Sequence, residues 1–473
     1  MKKKYINLIL LLSIAGQYRL LSMEKDIESN TSREDINQKS SIDLAEAADE
    51  ATNEKTVQLI KLLKKPYLNK EDFQEAINLI KNGADINAKG KYKSSALIKA
   101  ISYGYKDIVE SLIKLGANVN AKDSYNITAL MYALTYGDED IIKLLINTSG
   151  ININDQDNYG NNALMYSQIH GRPEITKLLI NTPGIDINSK NKFNYDPLLL
   201  ALYNRETEIA KLLIDSGVNV DSADNNRITP LMIVARKGYR DIANALIHAG
   251  ANVLAKDIDG NTALMHTVIG KQNNEKDIVK LLIDSGANVD SADNNGVTPL
   301  MMAAYEGYYD VANVLIHADA NVLAKDIGGN TALMHAIIGK QNNEEDKEDI
   351  VKLLIDSGVN VDSADNNGIT PLMMAARKGY DDVANALIHA DANVLAQDID
   401  GNTALMHAVM GKQKNMVQFF VDGYGNSLHM LDDTNNNGYT ALDLALSLID
   451  HADVDNFKVE DIIHVLVQYS DAH

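Results

Sequence analysis

Between Asp293 and Lys325 the chain reads DNNGVTPLMMAAYEGYYDVANVLIHADANVLAK, and variants of that block recur along most of its length. The opening Asp-Asn-Asn-Gly has turn chemistry, with Gly296 free to take a positive φ. Thr298 offers a side-chain oxygen to the free N–H groups of a helix start, and Pro299 sits where a missing N–H costs nothing. Leu300, Met301, Ala303 and Ala304 then make a short apolar helix that Gly307 ends. A second helix follows from Asp310, with Val311, Val314, Leu315 and Ile316 on one face. Two helices this short cannot bury their apolar faces alone. The block requires copies of itself on both sides, which selects a stacked array over an ordinary globular domain.

The copies begin at Gly90, Asp123, Asp157, Asn191, Asp224, Asp257, Asp293, Asp326, Asp365, Asp398 and Asn435, spaced by 33 to 39 residues. The array proper covers 90–434. Residues 54–89 read as a degenerate first copy that lacks the Thr-Pro-Leu start and caps the N-terminal end. Residues 435–473 read as the C-terminal cap, with Asp443 where other copies carry Met. Copies between Gly90 and Ala223 diverge from one another, whereas the six from Asp224 onward form three near-duplicate pairs. LLIDSGANVDSADNN near residue 281 returns as LLIDSGVNVDSADNN near 353, so a two-repeat block has been duplicated. The second members of two pairs carry insertions of 3 and 6 residues, after Ile269 and Ile338.

A 33-residue unit of turn, Thr-Pro-Leu, helix, helix and Gly resembles the ankyrin repeat family, and the resemblance covers the chain from about residue 57 to its end. It implies an all-α solenoid of paired antiparallel helices with β-hairpin loops, about ten full repeats between degenerate caps. It also implies a non-catalytic protein-binding module. The family's T-P-L-H motif is altered here: its His is replaced by Met131, Met165, Met232, Met265, Met301, Met334, Met373 and Met406. A flexible apolar filler stands where the family has a hydrogen-bonding ring, which puts polar links between repeats in doubt. The Lys, Asn and Ile bias suggests an AT-rich genome, and by resemblance exported ankyrin proteins of host-associated bacteria engage host proteins.

Ahead of the array, Lys2, Lys3 and Lys4 precede an apolar run from Ile6 to Ala15, so residues 1–15 read as a secretory signal peptide. That run is about half the ~20 residues a bilayer span needs, so no membrane span is expected after its removal. Residues 16–53 are polar and acidic and read as a linker. The expected location is secreted or periplasmic, with a cytoplasmic protein as the alternative. The net charge of −21 disfavours nucleic acid and anionic lipid, and the absence of cysteine excludes disulfides and thiol chemistry.

No phosphate loop, H-E-x-x-H or nucleophile elbow occurs, and neither catalysis nor a cofactor is expected. His266, His335 and His407 recur two repeats apart, ~16–20 Å, too far to share one ion. His248, His317 and His389 sit near second-helix ends, where a cation suits the helix dipole. The Asp-x-x-Asp-Asn-Asn-Gly stretches lack the final acidic ligand of a calcium loop.

Aromatic residues carry the functional signal. The third position of each unit, a hairpin tip, holds Tyr92, Tyr125, Tyr159 and Phe193 in the first four repeats, and Asn226, Asp259, Asn295, Gly328, Asn367 and Asp400 later. Six repeats therefore fold without an aromatic there. Tyr103, Tyr136 and Tyr203 near first-helix ends, with Tyr195 beside Phe193, would enlarge the patch. Rigid aromatics are typical interface anchors, and binding is favoured over stacking for stability alone. The expected partner is a protein, bound on the concave face by a monomer. The other candidate face is the inserted loops at Lys271–Lys276 and Lys340–Glu348. Two rival readings are a delivery module for a toxin or effector, and an intracellular structural or anti-toxin protein.

Overall fold

A computed structural model describes residues 54–270, 275–339, 344–424, 430–449 and 456–470. The proposed signal peptide, the linker and residues 271–274 and 340–343 of the insertions lie outside them. Among the described residues the chain forms 24 α-helices in consecutive pairs and no named strand. The helices fall into two compact units, one ending at Asn219 and one beginning at Val220. The first unit runs from the pair Glu54–Leu63 and Lys70–Lys81 to the pair Pro197–Tyr203 and Thr207–Asp215. The second runs from Pro230–Lys237 and Arg240–His248 to Ala441–Ser447 and Asn456–Ser470.

Each pair is built as the block predicts. The first helix of the reference block spans Pro299–Glu306, capped by Thr298, whose Oγ1 accepts from Met301 N at 3.3 Å. Gly307 closes it in the left-handed conformation, φ 82°. The second helix spans Tyr309–His317, one residue earlier than Asp310. Leu300, Met301, Ala303, Ala304, Val311, Ala312 and Leu315 are all buried, so the first helix is packed nearly all round and the second on one face only.

Methionine fills the family's His position and takes over part of its work. The Thr298 N–H donates to Met301 Sδ at 3.4 Å, and the same bond recurs at Thr128, Thr229, Thr331 and Thr370. Polar links between repeats nevertheless exist, supplied by the connecting loops. In the first unit Asn87, Asn120, Asn154 and Asn188 each accept, through Oδ1, a backbone N–H of the following repeat at 2.7–2.8 Å. The doubt raised by the missing His is therefore answered by Asn side chains.

The hairpins are turns with little strand character; a single isolated bridge, Lys122 to Thr128, is present among the described residues. Asp293 holds its turn by accepting the N–H groups of Asn295 and Val297 on one oxygen, both at 2.8 Å. Gly296 stands at φ 80°, and a Cβ there would meet the Ile327 nitrogen of the next repeat at 3.0 Å. Glycine is required twice over, for the turn and for the approach of the neighbouring backbone.

The 6-residue insertion is partly helix. Glu344–Asp356 has 13 residues against 9 in Tyr309–His317, so the expected loop from Glu344 onward is extra helical turn. Buried Lys347 ties it down, its Nζ donating to the Gly339 carbonyl at 2.9 Å and resting 5.1 Å over the Tyr380 ring.

Candidate functional site

The hairpin tips are joined by a backbone ladder that does not depend on side-chain type. The carbonyl of each tip residue accepts from the second residue of the next repeat: Tyr92 from Ser124 at 2.9 Å, Tyr125 from Asn158 at 3.0 Å, Tyr159 from Lys192 at 2.8 Å. The ladder sets Tyr92, Tyr125, Tyr159 and Phe193 in one row, a repeat apart. Their side chains are 53%, 42%, 48% and 42% exposed, so the row is presented to solvent and contributes little to the core. Tyr92 adopts φ 58°, a region costly for a bulky residue, whereas Tyr125, Tyr159 and Phe193 keep negative φ.

The remaining predicted aromatics gather locally and do not extend that row evenly. Tyr103 stacks on Tyr105, sits edge-on to Phe73, and donates its hydroxyl to the Pro66 carbonyl at 3.1 Å. Burial pushes its phenol above the ordinary value. Tyr136 stacks on Tyr132. Tyr195 and Tyr203 meet edge-on, 5.4 Å between ring centres, and both are half-buried. Tyr103 and Tyr136 keep more than a third of their surface exposed.

Lysines flank the row. Lys89, Lys91 and Lys93 are exposed at one end and Lys190 and Lys192 at the other, with Lys91 Nζ 4.9 Å over the Tyr92 ring. Charge is unevenly divided along the chain: residues 54–219 hold 20 Lys and Arg against 19 Asp and Glu, while 220–473 hold 17 against 37. The negative charge that argued against anionic partners belongs to the second unit. The aromatic row stands on a nearly neutral one.

A second device was not legible as such in the sequence. In five repeats the Asp that opens the repeat is buried or half-buried and pairs with the residue nine positions on. Tyr132 and Tyr166 donate their hydroxyls to Asp123 and Asp157, each at 2.9 Å. In the second unit His266, His335 and His407 set Nε2 3.0, 3.0 and 2.9 Å from a carboxylate oxygen of Asp257, Asp326 and Asp398. The recurring histidines are thus intra-repeat clasps. Burial alone would raise Asp398, but the Asn402 backbone N–H, His407 and the Asn402 amide outweigh it and hold the carboxyl below its usual value. Burial pushes His407 below the imidazole range despite the opposing pull of Asp398. The signal available was the strict Asp-to-Tyr or Asp-to-His interval of nine.

The other histidines are local too: Nδ1 of His248, His317 and His389 lies 2.8 Å from the carbonyl four residues earlier. Among the described residues no group of three His, Asp or Glu side chains converges as metal ligands would. None of the described helices is long and apolar enough to cross a membrane.

A short-helix solenoid with ladder-linked turns defines a repeat scaffold of the helix-pair type. The family model for ankyrin repeats (three copies) matches it in overlapping segments, 51–157, 122–191, 164–257, 254–326, 318–398 and 387–469. The chain belongs to the ankyrin repeat family. Among solved structures it is similar to an ankyrin repeat domain from Acinetobacter baumannii AYE, 32% identical over 42% of this chain and 98% of that one, with a TM-score of 0.38. No curated protein matches the chain. Ankyrin repeats generally serve protein–protein interaction, and their fold is typically a non-catalytic scaffold.

Proposed function

We propose that this protein is a non-catalytic scaffold, exported from the cell that makes it, which captures a partner protein on the aromatic hairpin edge of its first unit. The observation that carries the reading is the row Tyr92, Tyr125, Tyr159 and Phe193, exposed where the same ladder elsewhere carries Asn, Asp or Gly. Large rigid rings left in water are costly to keep unless a partner covers them, and central aromatics are the usual anchors of an interface. Tyr103 and Tyr136 extend the contact on the first-helix side. Export rests on the basic start and the apolar run to Ala15.

The test is a paired one. Tyr92→Asn, Tyr125→Asn, Tyr159→Asn and Phe193→Asn together copy residues that later repeats use, so stability should move within about 0.5 kcal/mol per site. A photo-crosslinking residue at Tyr125 should capture a discrete partner from the wild type. Adding the other three substitutions should abolish that capture. A fourfold variant that unfolds early yet still binds would place the row in the scaffold. Export is checked separately by N-terminal sequencing of the native protein. A mature chain that still begins at Met1 would favour the intracellular reading.

A further inference from the structure

The second unit breaks the pattern of its own loops in every other repeat. The loop position that accepts an N–H of the next repeat is Asn in the first unit and, in the second, Asp at Asp221, Asp290 and Asp362, which accept from Asn252, Asn321 and Asn393, each at 2.8 Å. In the alternate repeats that position is Leu254, Leu323 and Leu395, which cannot accept. Four residues later the same repeats place Ile258, Ile327 and Ile399 at the second tip position, where their neighbours have Asn294, Asn366 and Asn436. The isoleucines are 51%, 69% and 63% exposed, and Leu254 and Leu323 are more than half exposed.

Their backbones are fully occupied. Ile258, Ile327 and Ile399 donate to the preceding tip at 2.9–3.1 Å, and their carbonyls accept the side-chain amides of Asn294, Asn366 and Asn436 at 2.8–2.9 Å. Each is held rigidly while its side chain faces water. Exchanging an inter-repeat acceptor for an exposed aliphatic gains the fold nothing, and such local violations belong at functional positions.

We infer that the hairpin edge of the second unit is a separate docking surface for a basic polypeptide segment bearing aliphatic side chains. The apolar stations lie two repeats apart, ~16–20 Å, so the row spans ~32–40 Å and exceeds any small molecule. Charge selects the occupant. The unit carries 17 basic against 37 acidic residues, with Asp221, Asp259, Asp290, Asp362 and Asp400 exposed along this edge. A second copy, a nucleic acid or an anionic membrane meets repulsion, and a cationic protein segment meets attraction. The surface is independent of the aromatic row.

The experiment uses the full chain and a fluorescein-labelled leucine–lysine peptide of about 26 residues, long enough as a helix to span the row. Control peptides replace lysine with glutamate or leucine with serine. The leucine–lysine peptide should bind best by anisotropy. A variant carrying Leu254→Asp, Leu323→Asp, Leu395→Asp, Ile258→Asn, Ile327→Asn and Ile399→Asn should bind it at least about tenfold more weakly. The three added carboxylates strengthen any purely ionic attraction, so a loss isolates the aliphatic contacts. The three isoleucine changes alone give the same reading if the sixfold variant fails to fold. Unchanged binding by the variant, or equal binding of the serine–lysine peptide, overturns the proposal. So does a dimer of the unliganded chain in sedimentation that the variant abolishes, which would make the row a self-association surface.

Discussion

At Asp319 and Asp391 the chain holds an aspartate in the left-handed region, φ 61° and 64°, where the equivalent Gly250 stands at 89°. A Cβ built on Gly250 meets nothing within 4 Å, so the penalty at the two aspartates is one of backbone conformation and not of crowding. Asp319→Gly and Asp391→Gly should each raise stability by about 1 kcal/mol, read as a higher urea midpoint at unchanged slope. The Asp398–His407 clasp makes a second prediction. His407 is held neutral by burial, whereas the unfolded ring takes a proton near ~6.5; its share of stability is whole above that value and is lost as pH falls through it. Asp398, held below its usual value, keeps its share above ~3.9 and loses it on further acidification. His407→Tyr copies the Tyr132–Asp123 arrangement of the first unit and removes the first window only. Midpoints measured at pH 7 and pH 5 should fall further for the wild type than for the variant, because His170, which burial also holds below the imidazole range, contributes equally to both. A steric cost of the larger ring is the same at both values and cancels from the difference.

The helix pair was the most legible level, because its signals are local: Thr298 before Pro299, Gly307 after the last apolar residue, and a one-sided second helix each act within a turn of the chain. The ladder-linked tips were legible as positions, and the four exposed aromatics followed from comparing one register across repeats. Three things were not. The lengthened helix Glu344–Asp356 looked like a loop, since its added residues are all polar and carry no periodicity, and buried Lys347 ties it to the Gly339 carbonyl. The tyrosines of the first helices join in separate local clusters because their partners, Phe73 and the Pro66 carbonyl among them, come from other turns. The alternation of Leu with Asp in the loops was visible as letters but had no meaning until the inter-repeat hydrogen bonds showed what the Asp does. That bond gives a prediction at this scale. Leu323→Asp alone restores an acceptor aimed at the next repeat and should stabilise the second unit by about 0.5–1.5 kcal/mol, as one net hydrogen bond does. A fall in the urea midpoint would mean that the leucine packs against its neighbours and serves the fold.

Over the whole molecule the two units differ in charge far more than in construction, and the difference predicts how each responds to salt. Residues 220–473 carry 20 more acidic than basic side chains, while residues 54–219 carry one more basic than acidic. Like charges crowded on one compact unit repel one another and lower its stability, and the repulsion is relieved when the chain expands. Screening shortens its reach, from a Debye length of roughly 20 Å at 20 mM salt to less than ~5 Å at 500 mM, below the spacing of adjacent repeats. The second unit should therefore gain stability with salt and the nearly neutral first unit should gain little. The chain contains no tryptophan, so a single one introduced at half-exposed Tyr136, or in a second protein at Tyr439, reports one unit at a time. Urea unfolding followed by the two reporters should give separate midpoints at 20 mM salt, because stability in a solenoid is a sum over repeats and their interfaces. Raising the salt to 500 mM should lift the Tyr439→Trp midpoint and leave the Tyr136→Trp midpoint nearly in place. Coincident curves at both salt concentrations would show one cooperative molecule, and equal shifts in separate curves would show that general ion effects outweigh the uneven charge.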